Sequence, residues 1–241
     1  MAVVINGNGT VTGVTTLPDG IVTNDDLAGS INQSKLAGAI PLSKLVTTGT
    51  GSSSNFLRGD GAYAEAGGGA WALISSTNLS AVTTLAFVLD ATQYYNYKWI
   101  FSNIRPTTNT NRLAVRTSTD GGSSYSSGTS DYQYCAGSLA SQAALDQNGN
   151  QNANMGVMNN LPVGSSYGQN YEIILFDPSN ATVKPKFQYL HAGENVSGVN
   201  MTSWGSTQRV TTADVDAVQF LWEQGGTFQA SGKVQLLGLS I

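Results

Sequence analysis

The side chains that most often carry catalysis are scarce in this chain of 241 residues. His191 is the single histidine and Cys135 the single cysteine. A hydrolytic relay needs a nucleophile and a base in hydrogen-bond reach, with a third group orienting the base. Nothing in the spacing brings Cys135 or a serine to His191, and a structural or exposed histidine is the simpler reading. One cysteine cannot form an internal disulfide or a cysteine-based metal cluster. No H-E-x-x-H pair, Walker loop or dinucleotide-binding glycine fingerprint is present. Glycoside hydrolysis needs two carboxylates about 5–9 Å apart. The carboxylates here are scattered, and only Asp214 and Asp216 are spaced to share a strand face. Solvent-facing residues opposite Val215 and Ala217 are the simpler reading of that pair. Asp146-Gln-Asn148-Gly-Asn150 matches the start of a calcium loop but lacks the closing glutamate at the expected distance. The expectation is a protein that is not an enzyme, with no cofactor and no metal.

Binding is the chemistry that remains. Sugars stack on exposed aromatic faces while polar amides satisfy their hydroxyls. The aromatics in loop-like sequence are Tyr125, Tyr167 and Trp204, accompanied by asparagine and serine. Segments 122–130, 138–152, 164–170 and 195–206 are read as loops able to present such a surface, because binding residues concentrate on loops held by a rigid scaffold. Arg58-Gly59-Asp60 invites an integrin-ligand reading, but between glycines it reads more simply as a turn with a local or intersubunit ion pair.

Composition decides what must position these residues. Only 11% of residues are charged, against about 25% in an ordinary globular protein. Glycine, serine, threonine and asparagine fill the difference, favouring strands and turns over helices. With 40% apolar residues and four tryptophans, a packed core after residue 70 is expected rather than disorder. The net charge of −4 provides no counterion-release drive towards phosphate backbones, so nucleic acid is not an expected partner. No apolar run approaches the roughly 20 residues that span a bilayer. The opening MAVVINGNGTVTG lacks the basic and apolar regions of a secretory signal. Neither membrane insertion nor export by that route is expected.

Residues 21–48 repeat. Ile21-VTNDDL-AGS, Ile31-NQSKL-AGA and Ile40-PLSKL-VTT align with a spacing of nine or ten. Two apolar residues per repeat cannot form a core within one chain. Several copies wound round one axis can stack Ile21, Leu27, Ile31, Leu36, Ile40 and Leu45 as apolar layers. A flexible linker with accidental self-similarity is the plainer alternative. A coiled coil fits neither the spacing nor Pro41, Gly29 and Gly38. Residues 49–69 form a Gly/Ser-rich junction. From Trp71 the pattern turns to strands. Tyr95, Tyr97, Trp99 and Phe101 alternate with polar or smaller residues as one buried face, and 112–118 alternates likewise. Further strands are expected at 71–76, 84–90, 131–137, 171–176, 184–190, 215–222 and 232–241, with the longest loops at 138–152 and 192–209. The fold class read from this is all-β: an extended oligomeric N-terminal shaft followed by an antiparallel β-sandwich or jelly-roll-like head. The segments are an attachment segment 1–20, the shaft 21–48, the junction 49–69 and the head 70–241.

Three stretches together resemble bacteriophage tail-fibre-like virion appendage proteins. These are ING-NGTVTGV with LPDGIVTNDDLAGSI, the repeated I-x-x-S-K-L-A-G pattern, and the junction GTGSSSNFLRGDGAYA, where Tyr63 replaces a commoner tryptophan. The head is similar to a β-domain of such proteins at Tyr97-Lys98-Trp99-Ile100-Phe101, at Leu113 to Gly122 and at Gly226 to Gly232. It departs from them at Leu237-Gly238, where an aromatic usually precedes the last glycine. The resemblance covers nearly the whole chain. It implies a tail-fibre or tail-spike subunit, synthesised in the host cytoplasm and located in the virion. It further implies a homotrimer that joins other phage tail or virion proteins through the N-terminus. Loops of the head, with Tyr125, Tyr167 and Trp204, would meet a host cell-surface glycan or protein. A purely structural head fibre, capsid decoration or tail-assembly adaptor is the alternative it leaves open.

Overall fold

The computed structural model describes residues 55–57, 63–65, 71–141, 145–159 and 161–240. The six axial Ile and Leu positions of the repeat lie outside the described residues, as do Arg58 and Asp60. The chain divides into two units, Met1–Ala66 and Gly67–Ile241, with the division inside the junction. In the first unit, β1 (Asn55–Leu57) pairs antiparallel with β2 (Tyr63–Glu65), from Asn55↔Glu65 to Leu57↔Tyr63. Part of the junction is therefore a hairpin.

Among the described residues, the second unit contains twelve strands and no helix occurs. They are β3 (Trp71–Asn78), β4 (Thr84–Val88), β5 (Tyr94–Ile104), β6 (Leu113–Ser118), β7 (Tyr132–Ala140) and β8 (Asp146–Ala153). After these come β9 (Gly156–Val157), β10 (Gln169–Phe176), β11 (Lys186–Glu194), β12 (Asn200–Arg209), β13 (Ala217–Trp222) and β14 (Lys233–Ser240). They form an eight-stranded sheet, β3-β14-β5-β10-β11-β12-β7-β8, and a four-stranded sheet, β4-β13-β6-β9. Every pairing is antiparallel.

Alternation along β5 explains how the sheets join. Tyr97, Trp99 and Phe101 point inward and are buried. Trp99 and Phe101 meet Phe220 of β13 edge-on, at centroid separations of 5.3 and 5.0 Å. Phe87 of β4 meets Trp99 at 6.0 Å. Each such side chain contributes roughly 1.5–3 kcal/mol by burial, and the edge-to-face geometry suits the ring quadrupoles. The two sheets thus face each other across one aromatic core. Tyr95 does not join it. That residue is 50% exposed, because the register with β14 shifts between Asn96 and Tyr94 and Tyr94 takes the inward place against Tyr97. Its phenol titrates above the usual value because Asp177 lies close.

The two long segments expected as loops are largely strand. Residues 138–152 hold the end of β7 and most of β8, and 192–209 holds the end of β11 and all of β12. β8 differs from its neighbours. Every residue from Asp146 to Asn152 is exposed, whichever way it points. It is the last strand of the larger sheet and lies beyond the reach of the smaller one. The Asp146–Asn150 segment is therefore extended and does not wrap as a calcium loop does. Among the described residues, no three His, Cys, Asp or Glu side chains come together as a metal site.

Candidate functional site

The three aromatics singled out from sequence lie in three different places. Tyr125 follows β6 near the start of β5, because Ser118 pairs with Ala217 and Ala217 with Val88. Its phenol is raised above the ordinary value by burial first, then by Asp120 and Asp216. Those carboxylates organise the adjoining turn. Asp120 accepts from the Ser118 and Ser124 hydroxyls at 2.7 and 2.6 Å, which holds its carboxyl down at about 2. Asp216 accepts from Gly121 N at 2.9 Å, whereas Asp214 is exposed. The pair thus divides into a turn clamp and a surface charge rather than a catalytic dyad. Tyr167 lies at the opposite end of β5, just before Gln169, which pairs with Ile104. It is partly buried against Gly164 and Gly198.

Trp204 is in neither set of loops. It lies within β12 on the outer face of the larger sheet and is 43% exposed. The ladder aligns Leu190 of β11, Trp204, Gly137 of β7 and Gln147 of β8 in one row. The indole rests on Gly137: a Cβ there would come within 3.1 Å of Cε2 and Cζ2. Glycine at 137 thus lets a flat ring lie against the backbone. Gly149, one outward position further along β8, also lacks a side chain, and the outer surface is hollow there. Cys135, Gly137, Gln147, Gly149 and Trp204 border a groove of about 520 Å³, floored by Ala136, Asn148 and Gly205 of the inward row. Cys135 lies 3.3 Å from the Ser206 hydroxyl. Gln147 makes no side-chain hydrogen bond to a described residue, and Asn148 accepts only from the neighbouring Gly149 N.

Charge is distributed unevenly over this outer face. Towards β5, Lys98 bonds Glu172 at 3.0 Å and sits 4.8 Å from the Trp71 ring. Around Trp204 the groove has no Asp, Glu, Lys, Arg or His in its lining. The exposed Leu190 extends the apolar surface on the far side of the indole.

Behind the same strands lies His191, fully buried on β11 and stacked on Tyr171 at 4.4 Å. Its Nε2 is 2.9 Å from Gln169 Oε1. The Gln169 amide nitrogen donates to the Tyr167 and Glu194 carbonyls at 3.0 Å each, so its oxygen accepts and His191 Nε2 carries the proton. Burial pushes the His191 pKa down to about 3, and a neutral ring follows. A Cβ at Gly193 would overlap the Gln169 amide oxygen, so glycine there makes room for this pair. Ser203 pairs with His191 across the ladder, but both are sealed from solvent. They have no access to a substrate.

No family model, no curated protein and no solved structure matches this chain. The case for function therefore rests on the residues themselves. Gly137, Gln147 and Leu190 have no signature in sequence, because only the pairing of β11, β12, β7 and β8 places them beside Trp204.

Proposed function

We propose that the chain is a subunit of a bacteriophage tail fibre, tail spike or related virion appendage, and that its all-β head recognises the host surface. The observation that carries this reading is the nine- or ten-residue Ile/Leu repeat joined through S-S-S-x-F-L-R-G-D-G to a head of two packed antiparallel sheets. Two apolar residues per repeat need other copies to bury them, which supports a homotrimeric shaft with the N-terminus joined to other virion proteins. Sedimentation of the full chain across a range of concentrations tests the shaft. A trimer is expected, and a monomer throughout removes the basis for it. Leu36→Asp is expected to abolish the oligomer, since an uncompensated charge in an apolar layer costs several kcal/mol.

Host recognition is supported by an exposed, side-chain-lined groove on a scaffold with little charge. Adhesion of the labelled full chain to bacterial cells tests it. A second reading, a purely structural virion component, draws support from Leu73 and Ile74. Both are exposed on β3, the other terminal strand of the larger sheet, as a surface that another virion protein would cover. That reading expects no adhesion to any host cell. Neither reading assigns catalysis, and incubation with host-surface polysaccharide is expected to leave it uncleaved.

A further inference from the structure

Three features of the Trp204 groove constrain what it can hold. The indole is fixed flat on Gly137 and remains 43% exposed, so it offers a rigid apolar plane rather than a mobile side chain. The Gln147 amide is free of partners among the described residues and stands on the outer face at the groove wall. Among the described residues, no carboxylate, ammonium, guanidinium or imidazole lines the groove, so a charged ligand would lose its hydration there without gaining a counterion. Its volume of about 520 Å³ falls within the range of ligand clefts, ~300–1,000 Å³.

A pyranose ring matches all three. One of its faces is a plane of C–H groups that packs on an aromatic ring, its equatorial hydroxyls both donate and accept, and an unsubstituted ring carries no charge. We propose that the groove between Trp204 and Gln147 binds a neutral hexopyranose unit of a polysaccharide, stacked on the Trp204 indole and hydrogen-bonded by the Gln147 amide. The proposal rests on the reading of the head as the host-recognition unit and gives that reading a place and a ligand class. It also moves recognition from the loops at the ends of the sandwich to the outer face of β12, β7 and β8.

The test is titration of the full chain with cello-, malto-, manno- and galacto-oligosaccharides, followed by calorimetry and tryptophan fluorescence, with oligogalacturonate as the polyanionic counterpart. At least one neutral series is expected to bind with a Kd on the order of 1 mM and to perturb the fluorescence, and the polyanion is not. Trp204→Ala should weaken binding at least about tenfold. Trp204→Phe should retain most of it, and Gln147→Ala should lose a few-fold. Binding of none of the neutral series overturns the proposal, as does binding that Trp204→Ala leaves unchanged or a loss of oligomer in Trp204→Ala. Adhesion to cells separates this from the broader reading. Chains that adhere equally with and without Trp204 keep host recognition and overturn the groove. Saccharide binding through Trp204 without adhesion to any cell does the reverse.

Discussion

β5 and β8 belong to the same sheet and treat their side chains in opposite ways. Along β5, every second residue from Tyr97 to Phe101 is locked into an aromatic core shared with β4, β11 and β13. Along β8, both faces meet solvent from Asp146 to Asn152 and most of the side chains are amides. The strands between them form a gradient. The inward row passes from Phe101 and Tyr171 to His191, Ser203 and Ser138, all buried, and changes from aromatic to small and polar along the way. The sheet is thus anchored at one side and offers binding groups at the other, and a change at the groove need not disturb the core.

Trp99→Ala should break the anchored side outright. It removes the ring that meets Phe87, Phe187 and Phe220, and large-to-small changes at such sites cost about 3–5 kcal/mol. Chemical denaturation of the full chain measures it. A loss below about 1 kcal/mol would mean that β5 is not the anchor.

His191 probes the middle of the gradient. Its folded pKa of about 3 lies below the ordinary 6.5, so above that ordinary value the neutral ring carries no penalty. As the pH falls below it, the unfolded chain takes up a proton that the native state refuses. Stability is then lost progressively until the folded pKa is reached. Between about pH 7 and about pH 4 the loss is on the order of 3 kcal/mol. His191→Gln should start from lower stability but show a flatter pH dependence over that interval. Equal slopes in the two proteins would place His191 in a wetter site than its burial implies.

The same gradient explains which elements were legible in sequence. Period-two alternation appears only where one face of a strand is buried and the other is not. β5, β10 and β13 satisfy that condition and are legible within a few residues of their ends, whereas β6 is buried on both faces. β8 buries neither face, so DQNGNQNA looked like a loop. In β12 the inward positions are Met201, Ser203, Gly205 and Thr207, mostly small or polar because they face the His191 side of the core. Its large apolar residue, Trp204, points outward and inverts the signal. Its residue type marks Trp204 in the sequence, while the surrounding small and polar residues read as a loop. Tyr95 continues the alternation in sequence only, because the register shifts beside it and Tyr94 packs on Tyr97 instead.

Gly137→Ala should have a smaller effect, confined to the open side. The new Cβ would meet the indole at 3.1 Å, closer than relaxed packing allows, and the ring must shift by a few tenths of an ångström. A surface ring can yield, so the expected loss of stability is about 1 kcal/mol or less. The Trp204 fluorescence should change more than the denaturation midpoint. A large loss of stability would show that Trp204 is held as firmly as a core residue.

Gln147→Ala is expected to have the smallest effect on stability, within about 0.5 kcal/mol. The side chain is exposed and has no hydrogen-bond partner among the described residues, and alanine disturbs neither the β7–β8 ladder nor the indole. The value of the measurement lies in its sharpness. If β8 is an open edge, stability is unchanged at every protein concentration. If β8 is covered by a second copy of the chain, Gln147 is an interface residue and its loss shifts the denaturation midpoint in a concentration-dependent way. A neutral result leaves the two sides of the sheet as different as the fold makes them, with Trp99 holding the structure and Gln147 available for a ligand.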